Sequence, residues 1–199
     1  MNGYRVITIE RQYASGGSEI GKLIGQKLNI PCHDHDILEK AARACDVSSE
    51  HIAYAEETTT NSLLFGLSML TNGGTALPLS ERIFAEETKI IRETAQREKC
   101  VIVGRCANYI LKNTVKALNV YIYADYEMRV DRARNVYEIP IEEVEKTIRR
   151  FDKKRAGFYH ANCKTNWNDK NLYHICLDSS KLGIEQCADI IAQIVRNSQ

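Results

Sequence analysis

The stretch Val6-Ile7-Thr8-Ile9-Glu10-Arg11-Gln12-Tyr13-Ala14-Ser15-Gly16-Gly17-Ser18-Glu19-Ile20-Gly21-Lys22-Leu23-Ile24 constrains this chain more than any other. A β-branched run leads through a turn of small residues into a segment with Ile20, Leu23, Ile24 and Leu28 at helical spacing. Strand, glycine turn and helix in that order aim backbone N–H groups and the positive end of a helix dipole at one point, where a phosphate can lie. Against the pattern G-x-x-x-x-G-K-[ST], the window Arg11 to Ser18 keeps the second glycine (Gly16) and the hydroxyl (Ser18). Arg11 replaces the first glycine, and Gly17 replaces the lysine. Two readings stay open: a phosphate cradle, or a tight turn whose glycines only let the backbone reverse. The position favours the cradle, because the turn follows the first strand and opens the first helix. On that reading another cation does the lysine's work between the β- and γ-phosphates, and a branched side chain at Gly16 would sit where phosphate should lie.

A chain of 199 residues is expected to form one domain, with room for an inserted lid. Lys+Arg 27 against Asp+Glu 26 gives a net charge of +1, so no basic field argues for a nucleic-acid partner. No apolar run has the length of a membrane span, and Met1 to Glu10 lacks the layout of a signal peptide, which together predict no membrane partner and a cytoplasmic location. The 7 cysteines are an odd number scattered through apolar and helical segments, as suits reduced thiols. Cys32-His33-Asp34-His35 and the set His160, Cys163, His174 and Cys176 are the clusters of ligand type. Neither has the paired C-x-x-C spacing of a structural zinc site.

Further strands are expected at Asn29–Asp34, Cys100–Gly104, Ala117–Ala124 and Tyr173–Leu177, with helices between them. Those helices are read at His35–Ala44, Ser80–Lys99, Arg105–Lys112, from Asp125 onward, from Pro140 to about His160, and at Ile184–Val195. Short apolar strands alternating with helices predict a parallel sheet with right-handed crossovers, five strands in a three-layer α/β/α P-loop-type sandwich. Residues of about 44–75 are expected as an acceptor-side helical insertion, and about 137–165 as a lid-like helical segment. Ligands of such sheets lie beyond the carboxyl ends of the strands. That rule selects Arg11 to Ser18, Asp34 and Asp36, Gly104-Arg105, Asp125, and Asp178-Ser179-Ser180.

Arg105 follows a strand of buried type, where a guanidinium can reach a substrate phosphate in bidentate fashion or be tied to a carboxylate at the strand end. Asp34 can orient a phosphate, a ribose hydroxyl or a magnesium-bound water, or it can cap the helix that follows. In Arg149-Arg150-Phe151-Asp152-Lys153-Lys154-Arg155, the residues Arg150, Lys153 and Lys154 share a helix face, with Asp152 and Arg155 beside it. Such a run is either a solvated face or a set of mobile cations that closes over a transferred group.

Four segments in order, Ile7–Ile20, Val101–Leu111, Asp152–Ala156 and Ser179–Ile184, resemble the cytidylate kinase-like family, a bacterial branch of the nucleoside monophosphate kinases. The resemblance implies a P-loop kinase fold and transfer of a γ-phosphoryl from ATP to CMP or dCMP with magnesium. By that resemblance Ala14, Ser15, Gly16, Gly17 and Ser18 hold the donor phosphates, with the Ser18 hydroxyl on magnesium. Arg105 grips the acceptor, and Asp152 and Arg155 are the acidic and basic pair of the lid. Asp34 lies at the acceptor-side turn. Cys106 stands where the family's Gly-Arg-Asp motif has its carboxylate, with Asn108 near enough to take part of that work. Arg11, Arg105, Asp152 and Arg155 form the catalytic set. The resemblance makes small-molecule nucleotides the partners, and a homo-oligomer is compatible with it. The rival readings are a nucleotide-binding or regulatory protein on a kinase scaffold, and a kinase for another small metabolite.

Overall fold

Successive residues of the first strand face two different cores. Ile7 and Ile9 pack with Ile20, Ile24, Cys187, Ala188 and Ile191, whereas Val6 joins Ile91, Ala95, Cys106, Tyr159 and Cys163. Such two-sided burial is the mark of a strand in the middle of a parallel sheet. The computed structural model describes residues 3–47 and 78–198. In chain order it contains β1 (Val6–Arg11), α1 (Gly17–Leu28), β2 (Cys32–His33), α2 (Asp36–Ala44), α3 (Leu79–Arg97), β3 (Cys100–Val103) and α4 (Ala107–Ile110). These are followed by β4 (Ala117–Tyr123), α5 (Tyr126–Asn135), α6 (Ile141–Cys163), a 3-10 turn at Lys170–Leu172, β5 (Ile175–Asp178), α7 (Ser179–Leu182) and α8 (Ile184–Asn197).

The five strands run parallel in the order β2-β3-β1-β4-β5. One face carries α1 and α8, the other α3, α4 and α6, which gives the expected three-layer α/β/α architecture of a P-loop kinase. The chain leaves β1 towards the edge strand β2, yet it leaves β3 across β1 to reach β4. Connections that part in this way open a crevice at the carboxyl end of the central strand, the usual ligand position of such sheets.

Two elements differ from the sequence expectation for local reasons. The second strand was expected from Asn29 but pairs only at Cys32–His33. Asn29 takes a left-handed conformation at the end of α1, and the Ile30 N–H donates to the Gly25 carbonyl, so the helix cap consumes the residues that would have begun the strand. The helix expected at Arg105–Lys112 is confined to Ala107–Ile110, because Gly104, Arg105 and Cys106 turn with φ of 76°, 57° and 55°. The insertion expected at about 44–75 lies, from residue 48 on, outside the described residues. Most of the segment expected as a lid is α6, a single helix anchored at both ends. Val144 and Ile148 pack with Ala14 and Ala133, and Tyr159 and Cys163 enter the core under the sheet. Among the described residues no helix is long and apolar enough to cross a membrane.

Candidate active site

The turn from Gln12 to Gly16 leaves the sheet while still bonded to it. The Gln12 N–H donates to the Ile122 carbonyl at 3.0 Å, and the Gln12 side-chain carbonyl accepts from the Ala124 N–H at 3.1 Å. Ala14 and Gly16 have φ of 59° and 79°, so the backbone curls instead of running on as a strand. The curl is fixed from elsewhere. The Tyr13 N–H donates to Asp152 at 2.8 Å, and the Tyr13 carbonyl accepts from Arg129 Nε at 2.8 Å, while Arg129 Nη2 also pairs with Asp152. The Tyr13 ring stacks on Phe151 with centroids 4.5 Å apart and planes within 7°. Ser179, at the start of α7, donates its hydroxyl to the Ser15 carbonyl at 2.7 Å.

Gly16 is the N-cap of α1 and offers no side chain to the first turn, so among the described residues the amides of Gly17, Ser18 and Glu19 have no side-chain cap. Uncapped amides and the positive end of a 12-residue helix dipole favour an anion at this point. The reason for glycine at position 16 differs from the one expected. A Cβ there would meet Ile184 Cδ1 at 2.7 Å, with Arg132 Nε 3.6 Å away, so it points at α8 and α5. Position 16 is glycine for its positive φ and for helix packing.

Arg11 reaches Asp34, Nη2 to Oδ1 at 3.4 Å, with both side chains largely buried. Asp34 therefore does not cap α2. His35 holds that position and makes no side-chain capping bond. Arg155 donates from Nη1 to the Arg11 carbonyl at 3.1 Å and lies 5.6 Å from the centroid of the Tyr13 ring. Burial and the neighbouring charge of Arg11 push the Arg155 pKa down to about 9, which leaves it protonated at neutral pH. The charged run of α6 divides: Arg149, Arg150 and Lys153 are exposed, while Asp152 and Arg155 turn inward to the loop.

The turn after β3 is of another kind. Arg105 Nη1 lies 3.3 Å from Oε1 of Glu87, a fully buried carboxylate on α3, and its guanidinium is 5.9 Å from the centroid of the Phe158 ring. Of the two readings of Arg105, the tie to a carboxylate is the one seen here. Asn108 is buried and donates from Nδ2 to the Tyr159 hydroxyl at 2.9 Å. Cys106 is buried as well, and its thiol pKa is driven far up by its thiol neighbour Cys163 and by burial.

A model described as the cytidylate kinase-like family matches residues 6–181. The chain belongs to that family. None of the curated proteins compared matches it. Among solved structures, an uncharacterized protein from Eubacterium ventriosum ATCC 27560 is similar at 21% identity and a TM-score of 0.73, over 96% of this chain and 98% of that one. Shikimate kinase from Acinetobacter baumannii, in complex with shikimate, is 15% identical with a TM-score of 0.54 over 100% and 96%. The Bacteroides thetaiotaomicron shikimate kinase is 14% identical with a TM-score of 0.56 over 96% and 98%. These likenesses establish the fold.

Within this cytidylate kinase-like chain, several site residues escape sequence reasoning. Glu10, the last residue but one of β1, is almost fully buried, and burial raises its carboxyl pKa against the pull of Arg11 and Arg155. The strand alternation that puts Glu10 on the face of Val6 and Thr8 was a usable signal. Arg129 and Glu87 carry no such signal, since only the packing of α5 and α3 brings them to the two turns. Arg132 pairs with Glu19 at 2.9 Å beside Gly16. Among the described residues no group of three or more His, Cys, Asp or Glu is gathered as a metal site.

Proposed function

We propose that this protein is an ATP-dependent phosphotransferase of the cytoplasm that acts on a nucleoside monophosphate of CMP or dCMP type, ATP + CMP to ADP + CDP. The observation that carries the reading is the curl from Gln12 to Gly16 opening onto the uncapped first turn of α1, with Arg11 and Arg155 beside it. Family membership and fold support a nucleotide-dependent kinase. The resemblance supplies the acceptor.

Phosphoryl transfer between two nucleotides needs positioning and charge stabilisation more than covalent work by the protein. The amides from Ala14 to Ser18 bind the donor phosphates and fix their direction. Arg155, protonated and held against the Arg11 carbonyl, faces the negative charge that spreads over the transferred group. Asp152 sets the loop by bonding the Tyr13 N–H, which makes it a positioning residue. Arg105, Asp34 and Asn108 border the acceptor side. Magnesium suits this donor set, because it takes a single hydroxyl together with phosphate oxygens and water. Ser18, in the first turn of α1, is the side chain that would hold it, and the ion would supply positive charge to offset that of the donor phosphates.

A coupled ADP-release screen over CMP, dCMP, UMP, AMP and shikimate, paired with calorimetric ATP binding, tests the reading. Turnover that is fastest on CMP or dCMP supports it. Turnover confined to an alcohol acceptor keeps the kinase and removes the nucleotide. The second reading, a binding or regulatory protein, is favoured by Gly17 in the lysine position, and ATP binding without turnover on any acceptor would establish it.

A further inference from the structure

The two departures of the loop from the ordinary pattern are in contact. A Cβ built on Gly17 would lie 2.5 Å from Arg11 Cβ and 2.8 Å from Cγ. Real Cβ atoms do not approach so closely, so a lysine at 17 and the present arginine at 11 exclude one another. The usual loop has a glycine at its first position and a cation at its seventh. This one has a cation at the first and a glycine at the seventh. We propose that Arg11 supplies the charge that a lysine supplies in an ordinary P-loop, entering the phosphate site from the end of β1 instead of from the first turn of α1.

The path of the side chain agrees with this assignment. From Gly17 it crosses Gly104, where a Cβ would lie 2.2 Å from Arg11 Nη1. Two glycines on different elements thus clear a channel for one arginine along the carboxyl edge of β1 and β3. Within that channel Arg11 Nε is buried and has no hydrogen-bond partner among the described residues. Its guanidinium meets Asp34 only at 3.4 Å, and a second cation, Arg155, rests on its carbonyl. The other nearby carboxylates do not settle this charge: Asp152 is engaged by Arg129 and the Tyr13 N–H, and burial raises the pKa of Glu10. Two adjacent guanidinium groups, one with a buried donor unfilled, are arranged for an anion with several oxygens. A planar fork can also bridge two phosphate oxygens, which a lysine ammonium meets only as a point charge.

The inference rests on the kinase reading, and the test separates the two. Wild type, Arg11→Met, Arg11→Lys, Arg11→Gly, Gly17→Lys and the double variant Arg11→Gly/Gly17→Lys are compared by thermal melting, by ADP release and by the ratio of ATP to ADP affinity in calorimetry. Arg11→Met is expected to lose about 100-fold in turnover and to bind ATP no better than ADP, while Arg11→Lys keeps about a tenth of the activity. Gly17→Lys alone is expected to be inactive through the clash. The double variant should recover at least 10-fold over either of its parents. The assignment is overturned if Arg11→Met keeps the wild-type ATP-to-ADP ratio and turnover. It is equally overturned if the double variant melts cooperatively and is no better than the worse single variant. Should the double variant fail to fold, the Met and Lys variants decide alone, and equal loss in both overturns the assignment. A wild type that binds ATP without turnover leaves the affinity ratio as the deciding measure. A wild type that binds no ATP refutes the kinase reading itself, and this assignment falls with it.

Discussion

Between Gln12 and Gly16 the backbone is anchored by groups from three later helices: Arg129 of α5, Asp152 of α6 and Ser179 of α7. The turn after β3 is built differently. Gly104, Arg105 and Cys106 bend through three consecutive positive φ angles, and the arginine in the middle closes onto the buried Glu87. The first turn has a shape that depends on where α5, α6 and α7 stand, so a movement of those helices would be felt by any phosphate it holds. The second stores its shape in its own backbone and in the contact of Arg105 with Glu87 on α3. A reaction that needs a responsive donor side and a fixed frame can use one turn of each kind.

The contrast can be broken at its strongest contact first. Arg105→Ala leaves Glu87 buried without this cation and should lower stability by about 3 kcal/mol in denaturant titration. In the double variant with Glu87→Gln much of that loss should return, while acceptor KM stays raised. Asp152→Ala releases the Tyr13 amide and takes from Arg129 its carboxylate partner, leaving it the Tyr13 carbonyl, with an expected loss of about 2 kcal/mol and weaker ATP binding in calorimetry. If ATP affinity is unchanged, the loop does not depend on α6 as described. Ser179→Ala removes one anchor of the Ser15 carbonyl and should cost about 1 kcal/mol.

The smallest change concerns pH. Burial raises the Glu10 pKa above its ordinary 4.5, so the ionised form is disfavoured in the folded chain, and stability is lost as pH rises through the unfolded and then the folded value. Glu10→Gln should therefore melt above wild type at pH 8, with the gap closing as pH falls to about 4.5. A gap of the opposite sign at pH 8 would mean that Arg11 and Arg155 outweigh the burial.

The fold was legible in the chain because each strand carries a local signature: β-branched alternation in β1, an unbroken apolar run in β3, and turn residues at their ends. The turn between β1 and α1 could be anticipated from Gly16 and Ser18, whereas the resemblance implied Asp152 and Arg155 only as a lid pair and gave no sign that they bond to the Tyr13 N–H and the Arg11 carbonyl. What could not be read were contacts made only by packing. Nothing local to Glu87 or Arg129 marks either as a partner for a turn far away in the sequence. Gly16 shows the same limit in reverse. Its place in the pattern suggested room for phosphate, but the neighbour that crowds a side chain there is Ile184 of α8, and the positive φ disfavours one as well. The shortening of β2 arose from the cap of α1, which propensity along the strand does not register.

The bond from the Ser179 hydroxyl to the Ser15 carbonyl joins residues 164 positions apart. While the chain is being synthesised, the first strand and glycine turn emerge early and must wait for almost everything else to follow. Until α7 has cleared the ribosome, that clasp is missing, and a nascent chain lacking its last strand carries the motif without the full means to hold its shape.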